Sequence, residues 1–328
     1  MSRSRNMMFV VPMAFGALFS IVGCTGDDSD ELDGNWVTET VFDGSPRSSS
    51  VCVTIGNQAY LGTGYDGDDY LKDFWRYDIQ GGYWTQVADF PGSARSAASA
   101  FAVGDAVFVG TGYDGEDELA DFYRYDTTTN TWTRVADFQG TARRSAVGFN
   151  SATAGYLGSG FDGDNDKKDF WRYDPVNNQW TELFGFGGEK RREAITFTIG
   201  NKVYFGTGSS NNINKSDFYR FDLTTETWER LTDLDEDDDY FVMRSNAMAF
   251  TIGNYGYVTG GTAGSSTWEY DPANDTWTEK TLFEGAARQD GCSIYNGNRA
   301  FVVLGSYGSY YFDDMFEFKP LEEYDDED

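Results

Sequence analysis

Tryptophans at Trp36, Trp84, Trp132, Trp180, Trp228 and Trp277 stand 48, 48, 48, 48 and 49 residues apart, and self-similarity at such a period constrains the fold more than any other feature. Ahead of four of them stands one block: DFWRYD from Asp73, DFYRYD from Asp121, DFWRYD from Asp169 and DFYRFD from Asp217. A degenerate copy, STWEYD, begins at Ser266. Each unit also carries an alternating run that ends in glycines, as in AYLGTGYDG from Ala59 and AVFVGTGYDG from Ala106. Read in order, a unit gives a strand such as SSVCVTI, a Gly-Asn turn, a second strand, an acidic loop, a third strand, a turn, and a fourth strand opened by Trp. Four antiparallel strands per repeat make one blade of a β-propeller.

Composition agrees with an all-β class. Aromatics make up 17% of the chain, with only 6 Pro and with 38 Gly to punctuate it, the balance of many short strands joined by tight turns. The last unit has three strands, around Cys292 to Tyr295, Arg299 to Leu304 and Asp314 to Phe318, and no Trp strand after them. The missing strand is expected at the other end, because Trp36 lies 48 residues before Trp84 and Gly44-Ser45-Pro46-Arg47 matches Gly92-Ser93-Ala94-Arg95. Five whole blades and one split blade make six, and closing the ring this way leaves no open sheet edge. Two departures from period are local: an acidic insertion at Asp233 to Asp239, and a shorter second loop in blade five.

The glycines that end the second strand, the aromatic-Tyr-Asp block and a Trp six residues after that Asp, as in Tyr77-Asp78 and Trp84, resemble the kelch repeat. The resemblance spans roughly residues 34 to 320 and implies a six-bladed kelch-type propeller. Its glycines are spaced G-x-G in four units, whereas the adjacent pair usual in that family appears as Gly260-Gly261.

Residues 1–23 read as a secretory leader, with Arg3 and Arg5 ahead of the apolar run MMFVVPMAFGALFSIV. Ile21-Val22-Gly23-Cys24 resembles the bacterial lipobox, which implies lipidation of Cys24 and a membrane-anchored protein of the bacterial envelope, at the outer membrane or cell surface. Residues 24–33 are polar and acidic and suit a tether. Residues 321–328 form an acidic tail, which leaves 34–320 for the propeller.

The chain has a formal net charge of −29, which argues against nucleic acid as a partner. It has no histidine, so the commonest general base and the commonest transition-metal ligand are both missing. Two cysteines in the body, Cys52 and Cys292, fall one position apart in register, so their side chains are expected on opposite faces of their strands and a bond between them is disfavoured.

Arg47, Arg95, Arg143, Arg191, Arg244 and Arg288 stand one at the start of each inner strand. Two readings are open. Six guanidiniums around one mouth of the channel would hold a carboxylate or another anion, with Arg144 and Arg192 adding to them. Alternatively the repeated Asp73, Asp121, Asp169 and Asp217 pair with them as scaffold. Asp162, Asp164 and Asp166 form a weak calcium candidate that resembles the opening of an EF-hand loop without its glycine and distal glutamate. Trp75, Tyr123, Trp171, Tyr219, Trp268 and Phe316 share one column, where packing between blades is weighed against stacking on sugar rings.

These observations lead to a binding module for a protein or glycan, anionic on the first reading of the arginines, with no cofactor, no assigned catalytic residue and a monomeric state expected. Kelch propellers include galactose oxidase, but its family holds copper partly through histidines, and their absence speaks against that chemistry. A resemblance to periplasmic kelch mutarotases acting on sialic acid is the alternative, although the regular repeat shows no irregular blade hosting an acid/base pair.

Overall fold

Two-residue turns that open with glycine set the first hairpin of most blades. Gly56, Gly104, Gly200 and Gly253 take φ values of 58 to 60°, a left-handed conformation that glycine adopts without steric cost and that suits the twist of a tight hairpin. The third and fourth strands are joined by turns of another chemistry. There the Asp that closes the aromatic-Tyr-Asp block folds its side chain back onto the chain: Asp78 Oδ1 accepts from the N–H groups of Gln80 and Gly81 at 3.0 and 2.7 Å. Asp126, Asp174 and Asp222 do the same.

The computed structural model describes residues 32–235 and 241–325. Within them the strands form six four-stranded antiparallel sheets. The first blade holds Val51–Ile55, Gln58–Gly62, Phe74–Asp78 and Tyr83–Val87, and the next four repeat that order. The sixth holds Cys292–Tyr295, Ala300–Val303 and Met315–Lys319, and is completed by Asn35–Thr38 from the other end of the chain. Trp36 is the register partner of Phe318, and their rings lie 4.7 Å apart. The split blade is therefore closed as the repeat predicts. Blades four and six add small hairpins in their second loops, Ser209–Ser210 with Ile213–Asn214 and Ser306–Tyr307 with Tyr310–Tyr311. Blade five has a short 3-10 turn, Gly261–Ala263, in its place.

Alternation turns one side of each sheet to its neighbour, and the apolar side chains gather into six clusters, one at each junction between blades. Between the first and second blades, Val51, Tyr60, Phe74 and Phe90 meet Val107, Val109 and Tyr125. Each such aromatic contributes about 1.5 to 3 kcal/mol by its burial. The column considered for sugar stacking is used in this packing. Phe42 meets Trp75, Phe90 meets Tyr123, Phe138 meets Trp171, Phe186 meets Tyr219 and Phe283 meets Phe316, with ring centroids 5.0 to 5.6 Å apart. Trp268 is buried.

The leader, Cys24 and most of the tether lie outside the described residues, as do residues 236–240 of the acidic insertion and 326–328 of the tail.

Candidate functional site

The six repeated arginines fix the backbone at the channel mouth. All six are fully buried. Arg95 grips Asp121 with two bonds of 2.6 and 2.9 Å, and Arg143 grips Asp169 with two of 2.8 Å. Arg47 holds Asp73, Arg191 holds Asp217 and Arg288 holds Asp314. The same guanidiniums stack on Phe42, Phe90, Phe138, Phe186 and Phe283 at 4.8 to 5.3 Å, so both the fork and the face of each cation are occupied. Burial works against the ionised forms of Asp73 and Asp169, but hydrogen bonds and charge from Arg47 and Arg143 outweigh it and hold both carboxyls below their ordinary value. Arg244 differs. It donates to the carbonyls of Val242, Gly260 and Ser266 and to Ser266 Oγ, with no carboxylate of the described residues on it, and burial pulls its pKa down to about 10.

The geometry is that of the pairing alternative. No guanidinium of the six is exposed to meet a ligand: a Phe and an Asp enclose five of them, and carbonyls with Ser266 enclose Arg244. Arg144 and Arg192 are partly exposed, yet they are also engaged. Arg144 pairs with Glu118 at 2.9 Å and lies over Tyr113 and Phe161. Arg192 lies over Phe161 and within 3.5 to 3.6 Å of Glu193 and Asp166.

Two residues after each arginine the chain turns through a left-handed conformation, at Ser49, Ala97, Ser145, Glu193, Asn246 and Asp290, with φ values of 51 to 58°. There the blades join hand to hand. Ser49 N donates to Asp290 O, Ala97 to Ser49, Ser145 to Ala97, Glu193 to Ser145, Asn246 to Glu193, and Asp290 to Asn246, over 2.8 to 3.2 Å. The six bonds form a closed cycle around the channel. A second cycle runs outside it, in which Gly64, Gly112, Gly160, Gly208, Gly261 and Gly305 donate to the carbonyls of Arg95, Arg143, Arg191, Arg244, Arg288 and Arg47, each on the next blade. Left-handed backbone at non-glycine residues costs free energy and persists where the surroundings fix it; the cycles supply that constraint in all six blades.

What is not repeated is the chemistry of the side chains. In blades one to three the inner column reads Ser, Ala, Ser; in blades four to six it reads Glu193, Asn246, Asp290. These line a small cavity of about 180 Å³ at the mouth, together with Ser49 and Ser145. Asp290 is partly open to this cavity, and the crowding of the inner strands, with the charge of Glu193 adding to it, pushes its carboxyl up to about 7. The mouth thus gathers two carboxylates, an amide and two hydroxyls, a set suited to hydrogen bonding with a hydroxyl-rich ligand and able to hold a proton near neutrality.

Sequence reasoning missed these three residues. The signal was present as variation in one column of an otherwise constant repeat. The acids come from two different blades, four and six, so neither blade looks irregular alone.

The weak calcium candidate does not converge. Asp162 accepts the backbone N–H groups of Asp164 and Asn165 and pairs with Lys167, while Asp166 turns to Ser210 Oγ at 2.9 Å. Among the described residues no three His, Cys, Asp or Glu side chains group as a metal site requires. Cys52 and Cys292 are both free thiols, but contrary to expectation they meet beside the channel. The two line one cavity, and a hydrogen bond with Cys292, added to burial, raises the Cys52 thiol well above its ordinary value. The Cys292 thiol donates to Ser50 O at 3.6 Å.

Residues 34–155 match the KLHDC2/KLHL20/DRC7 Kelch-repeats domain. Among curated proteins no relative matches the sequence. Among solved structures the chain is similar to one described as "Structure of YjhT", with a TM-score of 0.72 at 16% identity, over 84% of this chain and 96% of that one; at that identity the likeness speaks to fold alone. With the 48-residue unit, the six four-stranded blades and the closure by Asn35–Thr38, the chain is a kelch-repeat β-propeller.

Proposed function

We propose that this propeller is a non-catalytic binding module, anchored to the bacterial envelope through lipidated Cys24, and that it takes a glycan at the channel mouth. The observation that carries this reading is the departure of Glu193, Asn246 and Asp290 from a column that holds only Ser and Ala in the other three blades. A scaffold role alone would favour the same small residue six times, since the backbone cycle needs no side chain. Sugar hydroxyls both donate and accept, which matches carboxylates, an amide and serines. An anionic ligand held by the repeated arginines is not part of the proposal, because their donors are already taken. A glycan array probed with the purified protein tests it. Binding of a neutral oligosaccharide that is lost in Asn246→Ala and Glu193→Gln supports it, and retention of affinity in both variants overturns it.

A second reading is favoured by one observation, the Asp290 carboxyl at about 7 beside Glu193. A group of that acidity can pass a proton to and from a sugar ring oxygen near neutral pH, as anomer exchange by a kelch-type mutarotase of anionic sugars would require. NMR exchange between sialic acid anomers separates the readings. A rate above the uncatalysed one that disappears in Asp290→Asn favours the enzyme; no acceleration favours the binding module.

A further inference from the structure

Four of the chain's eight lysines, Lys167, Lys168, Lys190 and Lys215, line a single cleft of about 860 Å³ between the third and fourth blades, with Trp171 in its wall. The cleft is distinct from the channel mouth, and its volume lies in the range of ligand pockets.

The repeat provides an internal control for these positions. Lys167 N and Lys215 N donate to Gly160 O and Gly208 O, the same bond that Leu71, Leu119 and Phe312 make in other blades. Lys190 precedes Arg191 where Ala94 and Ala142 precede Arg95 and Arg143. Charge therefore replaces apolar side chains at Lys167, Lys190 and Lys215, and the backbone does not demand it; Lys168 has a counterpart in Lys72 of the first blade, where Leu71 stands in the place of Lys167.

The carboxylates in the wall are engaged. Asp169 is held by Arg143 and by Trp171 Nε1 at 2.7 Å, Asp166 by Ser210, and Glu189 by Lys215. Lys167 pairs with Asp162. Lys168 and Lys190 form no ion pair among the described residues, and so two ammonium groups are uncommitted in a cleft that also offers an indole. The geometry points to a second ligand site here, for an acidic saccharide: carboxylate or sulfate groups on Lys168 and Lys190, and a sugar ring against Trp171. An acidic peptide would use the lysines but has no ring for the indole. A net charge of −29 repels polyanions in general, so retention of one reports a local site.

The test is calorimetry on the full chain with four probes: unesterified tetragalacturonate, its fully methyl-esterified counterpart, a sulfated disaccharide and a hexa-aspartate peptide. The expected result is binding of at least one acidic saccharide, at least tenfold weaker for the neutral ester and the peptide. A tenfold or greater loss is expected in Lys168→Gln/Lys190→Gln, with no change in Glu193→Gln or Asp290→Asn. Those two variants keep failure at the mouth separate from failure in the cleft. Exposed lysines tolerate the change to Gln, so a folded but non-binding variant is the informative outcome. No binding of either acidic saccharide, equal binding of ester and acid, preference for the peptide, or full affinity in the double lysine variant would each overturn the assignment.

Discussion

Trp36 and Phe318, 282 residues apart in sequence, are direct cross-strand partners whose rings lie 4.7 Å apart at a tilt of 38°. Trp36 also meets Phe283 and Phe250 edge to face, at 4.9 and 6.1 Å. One side chain thus joins the opening strand both to the last blade and to the blade before it.

Because that contact closes the ring, Trp36→Ala is expected to cost about 3 to 5 kcal/mol, the usual range for emptying a buried tryptophan site. Urea denaturation followed by intrinsic fluorescence measures it. A loss under 1 kcal/mol would mean that the ring holds without its clasp.

Arg143→Ala leaves Asp169 half-buried with its partner gone, and a loss of about 3 to 5 kcal/mol is expected from breaking a buried pair on one side. The pair also predicts acid sensitivity. Asp169 sits below its ordinary value when folded, so its stabilisation is present above that ordinary value and fades as pH falls through the depressed one. Stability curves of the parent and Arg143→Ala should therefore converge at low pH. Arg244→Met should cost less than Arg143→Ala, since among the described residues it leaves no carboxylate orphaned.

Asp290 titrates in the opposite sense. Its folded carboxyl is raised to about 7, so the folded state holds a proton that the unfolded state has released above about 4. Stability from this group is full below that point and declines as pH rises toward 7. Asp290→Asn removes the decline, and its melting temperature should exceed that of the parent at pH 8 and match it near pH 4. A variant less stable than the parent at pH 8 would contradict this.

The thiols of Cys52 and Cys292 should resist alkylation. Iodoacetamide at pH 8 is expected to modify neither in the native protein within the time that labels both in guanidinium, because the thiolate is the nucleophile and the Cys52 thiol is held well above its ordinary value, while Cys292 is buried. Mass spectrometry of the intact chain reads the difference.

The architecture was legible because tryptophan spacing runs through the chain and the Asp-aromatic block marks the first four blades, and the place of Trp36 followed from counting. The roles of the arginines were harder to read. For five of them the direction depends on a phenylalanine five residues before and an aspartate 26 residues after, as with Phe90, Arg95 and Asp121, and of these only the aspartates stand out as a repeat. Glu193, Asn246 and Asp290 stayed hidden for a different reason. Attention to what recurs passes over a column whose backbone recurs and whose side chains do not. The meeting of Cys52 with Cys292 could not be read from register, because strand pleat gives a face but not the curvature that brings neighbouring inner strands together around an axis.

The inner cycle of six hydrogen bonds between blades bears on the glycan site proposed at this mouth. All six donors point the same way around, each N–H and each carbonyl answered by a neighbour, so the rim presents no main-chain valence to a guest. Any selectivity of the proposed site would then reside in six interchangeable side chains mounted on a self-sufficient hoop. Exchanging those six letters should redirect what is recognised while the hoop itself stays as it is.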